Sequence, residues 1–205
     1  MIVIRLMHRV PAYLLTVGLA LFTAPGPAED TDDLVIRCEI CHGQDGNSVL
    51  PIFPSISGFS YAGFLYTMDE YRENRRIAIE FQQPNEPETV MINIAKQLSD
   101  ADLKGLANYF SKRKYIPRSQ AFNPELASRG AILHEKHCER CHLKNGTEPT
   151  DDKNILAGQW TPYLRLQFKN ILSGKRLVSR RMSNRLKKLN QEDIEALLNF
   201  YASVN

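Results

Sequence analysis

The pattern Cys-x-x-Cys-His occurs twice in this chain, as CEICH ending at His42 and as CERCH ending at His142, and the two copies use all four cysteines of the 205 residues. A Cys-x-x-Cys pair alone serves zinc binding, thiol–disulfide exchange or covalent haem attachment. Only the last gives a role to a histidine directly behind the second cysteine. There the thiols of Cys38 and Cys41, and of Cys138 and Cys141, add to the haem vinyl groups, and the imidazole takes one axial position on iron. One histidine so placed is easily a coincidence; two are not.

The copies extend well past the cysteines. SISGFSYAGFLYTMDEYRENRR follows the first motif and ILAGQWTPYLRLQFKNILSGKR the second, so that Gly58 matches Gly158 and Arg76 matches Arg176. Further on, MINIAKQLSDADLKGLANYFS matches MSNRLKKLNQEDIEALLNFYAS, with the first half longer by an insertion around EFQQPNEPE that reads as a surface loop. A repeat of this length is a duplicated domain rather than a solenoid unit.

Each half ends on a helix with a legible start. Ser99 with Asp102, and Asn190 with Asp193, place a capping side chain three residues before an acid. Leu103, Leu106, Ala107 and Phe110, and in phase Ile194, Leu197, Leu198 and Tyr201, then follow helical spacing. PELASRGAILHEKHC reads as a helix leading into the second motif, with Gly130 allowing close approach of a crossing helix. The first half has Asp30 at that place, so its leading helix is expected to be short. Residues 112–124 carry two prolines and no helical pattern, and no strand pattern competes anywhere. The expectation is an all-α chain: a first domain over 29–111, a linker over 112–124 and a second domain over 125–205.

Residues 1–28 supply what precedes the domains. Arg5 and Arg9, an apolar stretch from Val10 to Phe22 and small residues around Ala28 read as a secretory signal peptide, which implies export to the periplasm. Charge is unevenly spread over the rest. Residues 29–111 hold 6 Lys and Arg against 14 Asp and Glu, whereas 112–205 hold 18 against 9. Such polarity suits docking between proteins and argues against a uniformly basic nucleic-acid binder.

A haem held by two thioethers and a histidine keeps one axial position, and the residue that fills it decides between electron carriage and reaction at iron. Met91 and Met182 occupy the same place in the repeat, each seven residues before the leucine that precedes the last helix. They are the expected partners of His42 and His142, with core packing as the alternative, since methionine commonly fills gaps. Met68 has no counterpart and reads as core. His134 and His137 also have none and read as part of a solvated helix face. Pro54, and Asn154 at the matching place, offer carbonyls to the second nitrogens of the ligand histidines. Arg76 and Arg176 read either as partners of haem propionates or as solvated charges, and Trp160 as packing in the second haem pocket.

These residues together resemble a known family. The tandem CxxCH domains, CHGQDGNS, and M(I/S)N...L before a closing helix are similar to dihaem cytochromes c of the c4 class over nearly all of residues 29–205. Within that group, LHEKHCERCH followed by ILAGQWTPYL more closely resembles the cytochrome subunit of flavocytochrome c sulfide dehydrogenase. The resemblance implies two class I cytochrome c domains, two covalently bound haem c groups, His/Met ligation of both irons and no catalytic site on this chain. It also implies a tight FAD-binding flavoprotein partner that oxidises sulfide, and a downstream redox protein. A free c4-type carrier serving a terminal oxidase or reductase is the alternative. An apolar patch for the partner distinguishes the obligate subunit. A dihaem peroxidase would need one methionine unligated, and a single zinc site built from both cysteine pairs leaves the histidines and the repeat unexplained.

Overall fold

The computed structural model describes residues 30–78, 91–150 and 153–204. Residues 1–28, read from sequence as a signal peptide, and the insertion around EFQQPNEPE lie outside them. In the first half α1 (Thr31–His42) leads through a 3-10 turn (Gln44–Gly46) to α2 (Tyr61–Arg72), α3 (Met91–Gln97) and α4 (Asp100–Ser111). The second half repeats the order as α5 (Pro124–His137), the short α6 (Leu143–Gly146), α7 (Thr161–Leu172), α8 (Arg180–Leu186) and α9 (Gln191–Ser203). Among the described residues β-structure is limited to isolated bridges, Arg76 with Arg176 and Thr150 with Lys153. No described helix is long and apolar enough to cross a membrane.

The helix starts follow the local chemistry of the sequence. Both expected capping boxes form: Ser99 and Asp102 satisfy each other's backbone N–H groups at the head of α4, and Asn190 and Asp193 do so at α9. Asp30 caps α1, which confirms a short leading helix in the first half. Pro124, the last residue of the linker and the first of the helix read from PELASRGAILHEKHC, opens α5, with the Asn123 side chain accepting from the N–H groups of Glu125 and Leu126. Proline suits that position because its missing N–H has no helical acceptor there.

Each half packs its closing helix over its leading one. Leu34, Val35, Phe64, Met68, Leu103, Leu106 and Phe110 form the first core, so Met68 is core as expected. Leu164, Ile194, Leu197, Leu198 and Tyr201 form the second. At the α5–α9 crossing, a Cβ on Gly130 would fall 2.1 Å from the Ala196 carbonyl oxygen, so only glycine allows this approach. In the first half the glycine has changed helices. Gly105, at the place of Ala196, lies on α4, and its missing Cβ faces the Thr31 hydroxyl at 2.9 Å.

The linker is bonded to both halves. Asn47 of the first half donates to the Lys114 carbonyl at 3.0 Å and accepts from the Ile116 N–H at 2.8 Å. Tyr115 donates to the Ala157 carbonyl of the second half, Arg118 N–H to Gly158, and the Gln120 amide to the Gln159 carbonyl. The halves also touch directly. The buried Gln159 amide makes a two-way pair with the Ser55 backbone, at 3.0 and 2.8 Å.

Candidate haem sites

The last turn of α1 carries Cys38, Cys41 and His42 on the side of the helix that also holds Leu34 and Val35, facing the first core. No disulfide joins Cys38 to Cys41 or Cys138 to Cys141. Burial pushes the Cys38 thiol up to about 12 and the Cys138 thiol up to about 11. Exchange chemistry needs an accessible thiolate, so these are not the thiols of a disulfide oxidoreductase. Nor does a zinc site assemble, since no group of three or more His, Cys, Asp or Glu side chains comes together among the described residues.

His42 is buried, and its Nδ1–H donates to the Pro54 carbonyl at 2.9 Å, the bond anticipated from sequence. That bond fixes the tautomer and leaves the Nε2 lone pair for a metal. Burial, helped by the nearby Arg76 charge, pushes the ring's pKa down and keeps it in the neutral form that binds iron. Behind it, Glu39 accepts from the Asp45 N–H at 2.7 Å and pins the turn that follows the motif.

In the second half Cys138 caps α5 and His142 is partly buried. Glu139 repeats the role of Glu39, accepting from the N–H groups of Lys144 and Asn145 at 2.8 and 3.0 Å. Both of those residues have left-handed backbones, with φ of 50° and 59°, which turn the chain back on itself. Asn154 uses its side-chain amide elsewhere, donating across to Thr67 at 3.0 Å. Met91 opens α3 and borders the same core cluster as Cys38. Met182 lies in the first turn of α8, half-buried, with its N–H bonded to Ser179 Oγ at 3.2 Å.

Two sequence readings need correction. His134 does not lie on a solvated face: it is 1% exposed, bonded to Tyr201 and Glu139. Its signal was its repeat position, which is that of the buried Leu34. His137 is partly buried. Trp160, expected to pack in the second haem pocket, donates its indole N–H to the Ser48 carbonyl of the other half at 2.9 Å. Arg76 and Arg176 are not solvated charges either. They meet across the halves, and both donate to Oε2 of Glu70, itself 2% exposed, at 3.4 and 3.3 Å. Arg76 also reaches the Tyr163 hydroxyl and Arg176 the Gln167 amide oxygen. The Nε–H of each guanidinium is buried with no hydrogen-bond acceptor among the described residues. A haem carboxylate is the kind of acceptor such donors require.

The donor set therefore suits two haem c groups: in each half two thiols with a histidine directly behind them, in the first half an imidazole kept neutral with its outer nitrogen fixed, and between the halves two arginine Nε–H groups buried without an acceptor among the described residues. Comparison with known proteins agrees. Residues 125–200 match the family described as cytochrome c oxidase, cbb3-type, subunit III. Cytochrome c4 of Stutzerimonas stutzeri is 31% identical, over 91% of this chain and 94% of that protein. Cytochrome c4 of Azotobacter vinelandii is 30% identical, over 80% and 81%. The crystal structure of reduced recombinant cytochrome c4 from Pseudomonas stutzeri superposes with a TM-score of 0.69 at 28% identity, covering 88% of this chain and all of that one. A thiosulfate dehydrogenase from Marichromatium purpuratum shares the fold, with a TM-score of 0.65 at 20% identity over 82% of this chain and 36% of that one. With two class I cytochrome c domains and two covalent haem sites, the chain belongs to the cytochrome c4 family of dihaem electron-transfer proteins.

Proposed function

We propose that the chain is a free, periplasmic c4-type electron carrier whose irons are ligated by His42 with Met91 and by His142 with Met182. The matches to cytochrome c4 along nearly the whole chain favour this over a subunit of a sulfide dehydrogenase. The carrying observation is the equivalence of the two methionines, each at the start of the short helix before a closing helix. Haem supplies one-electron chemistry when bound. Ligands on both sides of each iron leave no position for a substrate. Export through residues 1–28 and the domain limits 29–111 and 125–205, joined by 112–124, belong to the same reading. So does the pairing of the Arg76 and Arg176 Nε–H groups with haem propionates.

Met91→Ala and Met182→Ala test it. Each should remove half of the weak near-infrared sulfur-to-iron band of the oxidised protein and lower one of two potentials, because methionine ligation raises the potential. A spectrum untouched by either substitution makes that methionine core.

One observation favours the obligate-subunit reading. Ile36 and Ile40, one helical turn apart and each 61% exposed, lie on the face of α1 turned away from Cys38 and His42, and Val49, Leu50 and Ile52 are exposed nearby in sequence. Apolar surface of this kind suits a lasting partner. Purification from the native host decides: a flavin-bearing protein in stoichiometric association supports the subunit, and a lone dihaem protein supports the carrier.

A further inference from the structure

The second half contains a buried polar network that the first half lacks. His134 Nε2 lies 2.7 Å from Glu139 Oε2 and 3.1 Å from the His142 carbonyl oxygen. Both are acceptors, so Nε2 carries the proton and shares it between them. Nδ1 lies 3.0 Å from the hydroxyl of Tyr201, which is 1% exposed and donates its proton to that nitrogen. His134 of α5, itself held by Tyr201 of α9, thus holds the haem-attachment segment at Glu139 and His142. At the equivalent places the first half has Leu34 and Phe110, both buried and unable to form any of these bonds.

We propose that His134 and Tyr201 are a positioning pair for the second haem, fixing the segment that bears His142 and setting that haem's potential apart from the first. The physical lever is the Nε2–H dipole. Its positive end points at the Glu139 carboxylate and the His142 carbonyl, and so offsets negative charge beside the ligand. Without it that charge favours the oxidised, more positive iron, and the second potential falls. Buried and poorly screened, such a dipole acts more strongly than it would in water.

The test transplants the first half's residues into the second, as His134→Leu/Tyr201→Phe in the holoprotein. The two redox waves are assigned by the Met91→Ala variant, which moves the first alone. The expected result is a second wave lowered enough to change the electron-sharing equilibrium between the haems about tenfold, or about 59 mV for a one-electron couple. The first wave stays in place, and His134→Gln, which keeps a donor, recovers most of the shift. If the double variant does not fold, Tyr201→Phe alone removes one oxygen and must still move the second wave only. A second wave that does not move, or two waves that move together, overturns the proposal. The inference rests on His142 and Met182 as ligands. A sulfur-to-iron band intact in these variants shows that ligation persists, so a missing shift then counts against His134 and Tyr201 only. Failure of the ligand reading appears separately, as an unchanged band in Met182→Ala.

Discussion

In the first half the leading helix gives Leu34 to a core closed by Phe110, whereas in the second it gives His134 to Tyr201. The glycine at the helix crossing has moved in the same coupled way, from α4 in one half to α5 in the other. In both cases the residues at the helix crossing differ between the halves while the crossing itself is kept. Duplication has thus conserved pairs of places rather than residues. A substitution that copies one member of a pair across the repeat should therefore do more harm than its chemistry alone suggests.

The largest effect is expected where the halves are most unequal. Glu70 gathers Arg76 and Arg176, and its counterpart Asn170, also buried, carries no charge. Glu70→Gln leaves two buried guanidinium groups without their shared carboxylate. Removing one partner of a buried ion pair typically costs about 3–5 kcal/mol. Denaturant unfolding of the holoprotein should show a loss on that scale, and a loss below about 1 kcal/mol would mean that other groups neutralise the pair.

Next come the two glycines. Gly130→Ala drives a Cβ into backbone, which side-chain motion cannot relieve, and overpacking of this kind costs about 1–3 kcal/mol. Gly105→Ala meets the Thr31 hydroxyl, which can rotate, and gains helix propensity. Its cost should stay below about 1 kcal/mol. Equal losses in thermal melts would show that the two crossings are equivalent after all.

The smallest effect concerns surface charge. GKRLVSRRMSNRLKK, residues 174–188, carries exposed Lys175, Arg180, Arg181, Arg185, Lys187 and Lys188, whereas Arg176 is drawn inward to Glu70. If this basic stretch steers an acidic redox partner, Arg180→Glu/Arg181→Glu should slow electron transfer several-fold at low salt. The difference should fade as the Debye length shrinks to roughly 10 Å at 0.1 M. A stopped-flow rate that ignores both salt and charge reversal would remove the steering role.

How much of this was legible in the sequence depended on the range of the interaction. The caps at Ser99 and Asn190, the phase of α4 and α9 and the His42–Pro54 bond rest on neighbours within one element or on a motif. Those were readable. His134 was misread because its partner Tyr201 stands 67 residues away, and the contacts of Trp160 with Ser48 and of Arg176 with Glu70, 112 and 106 residues apart, were likewise invisible. No periodicity reports such a contact. For a polar residue, burial follows from a partner, and where no partner can be seen solvent is the default reading.

The linker carries a last consequence. A chain of two similar halves risks exchanging them between copies, because an intermolecular pair could offer every contact of the closed monomer. Here the linker is bonded through Asn47 to the first half and through Ala157, Gly158 and Gln159 to the second. Domain swapping would have to strip it from at least one half, at about 1 kcal/mol for each bond released. The linker thus favours the pairing of the two halves of one chain over their exchange between copies.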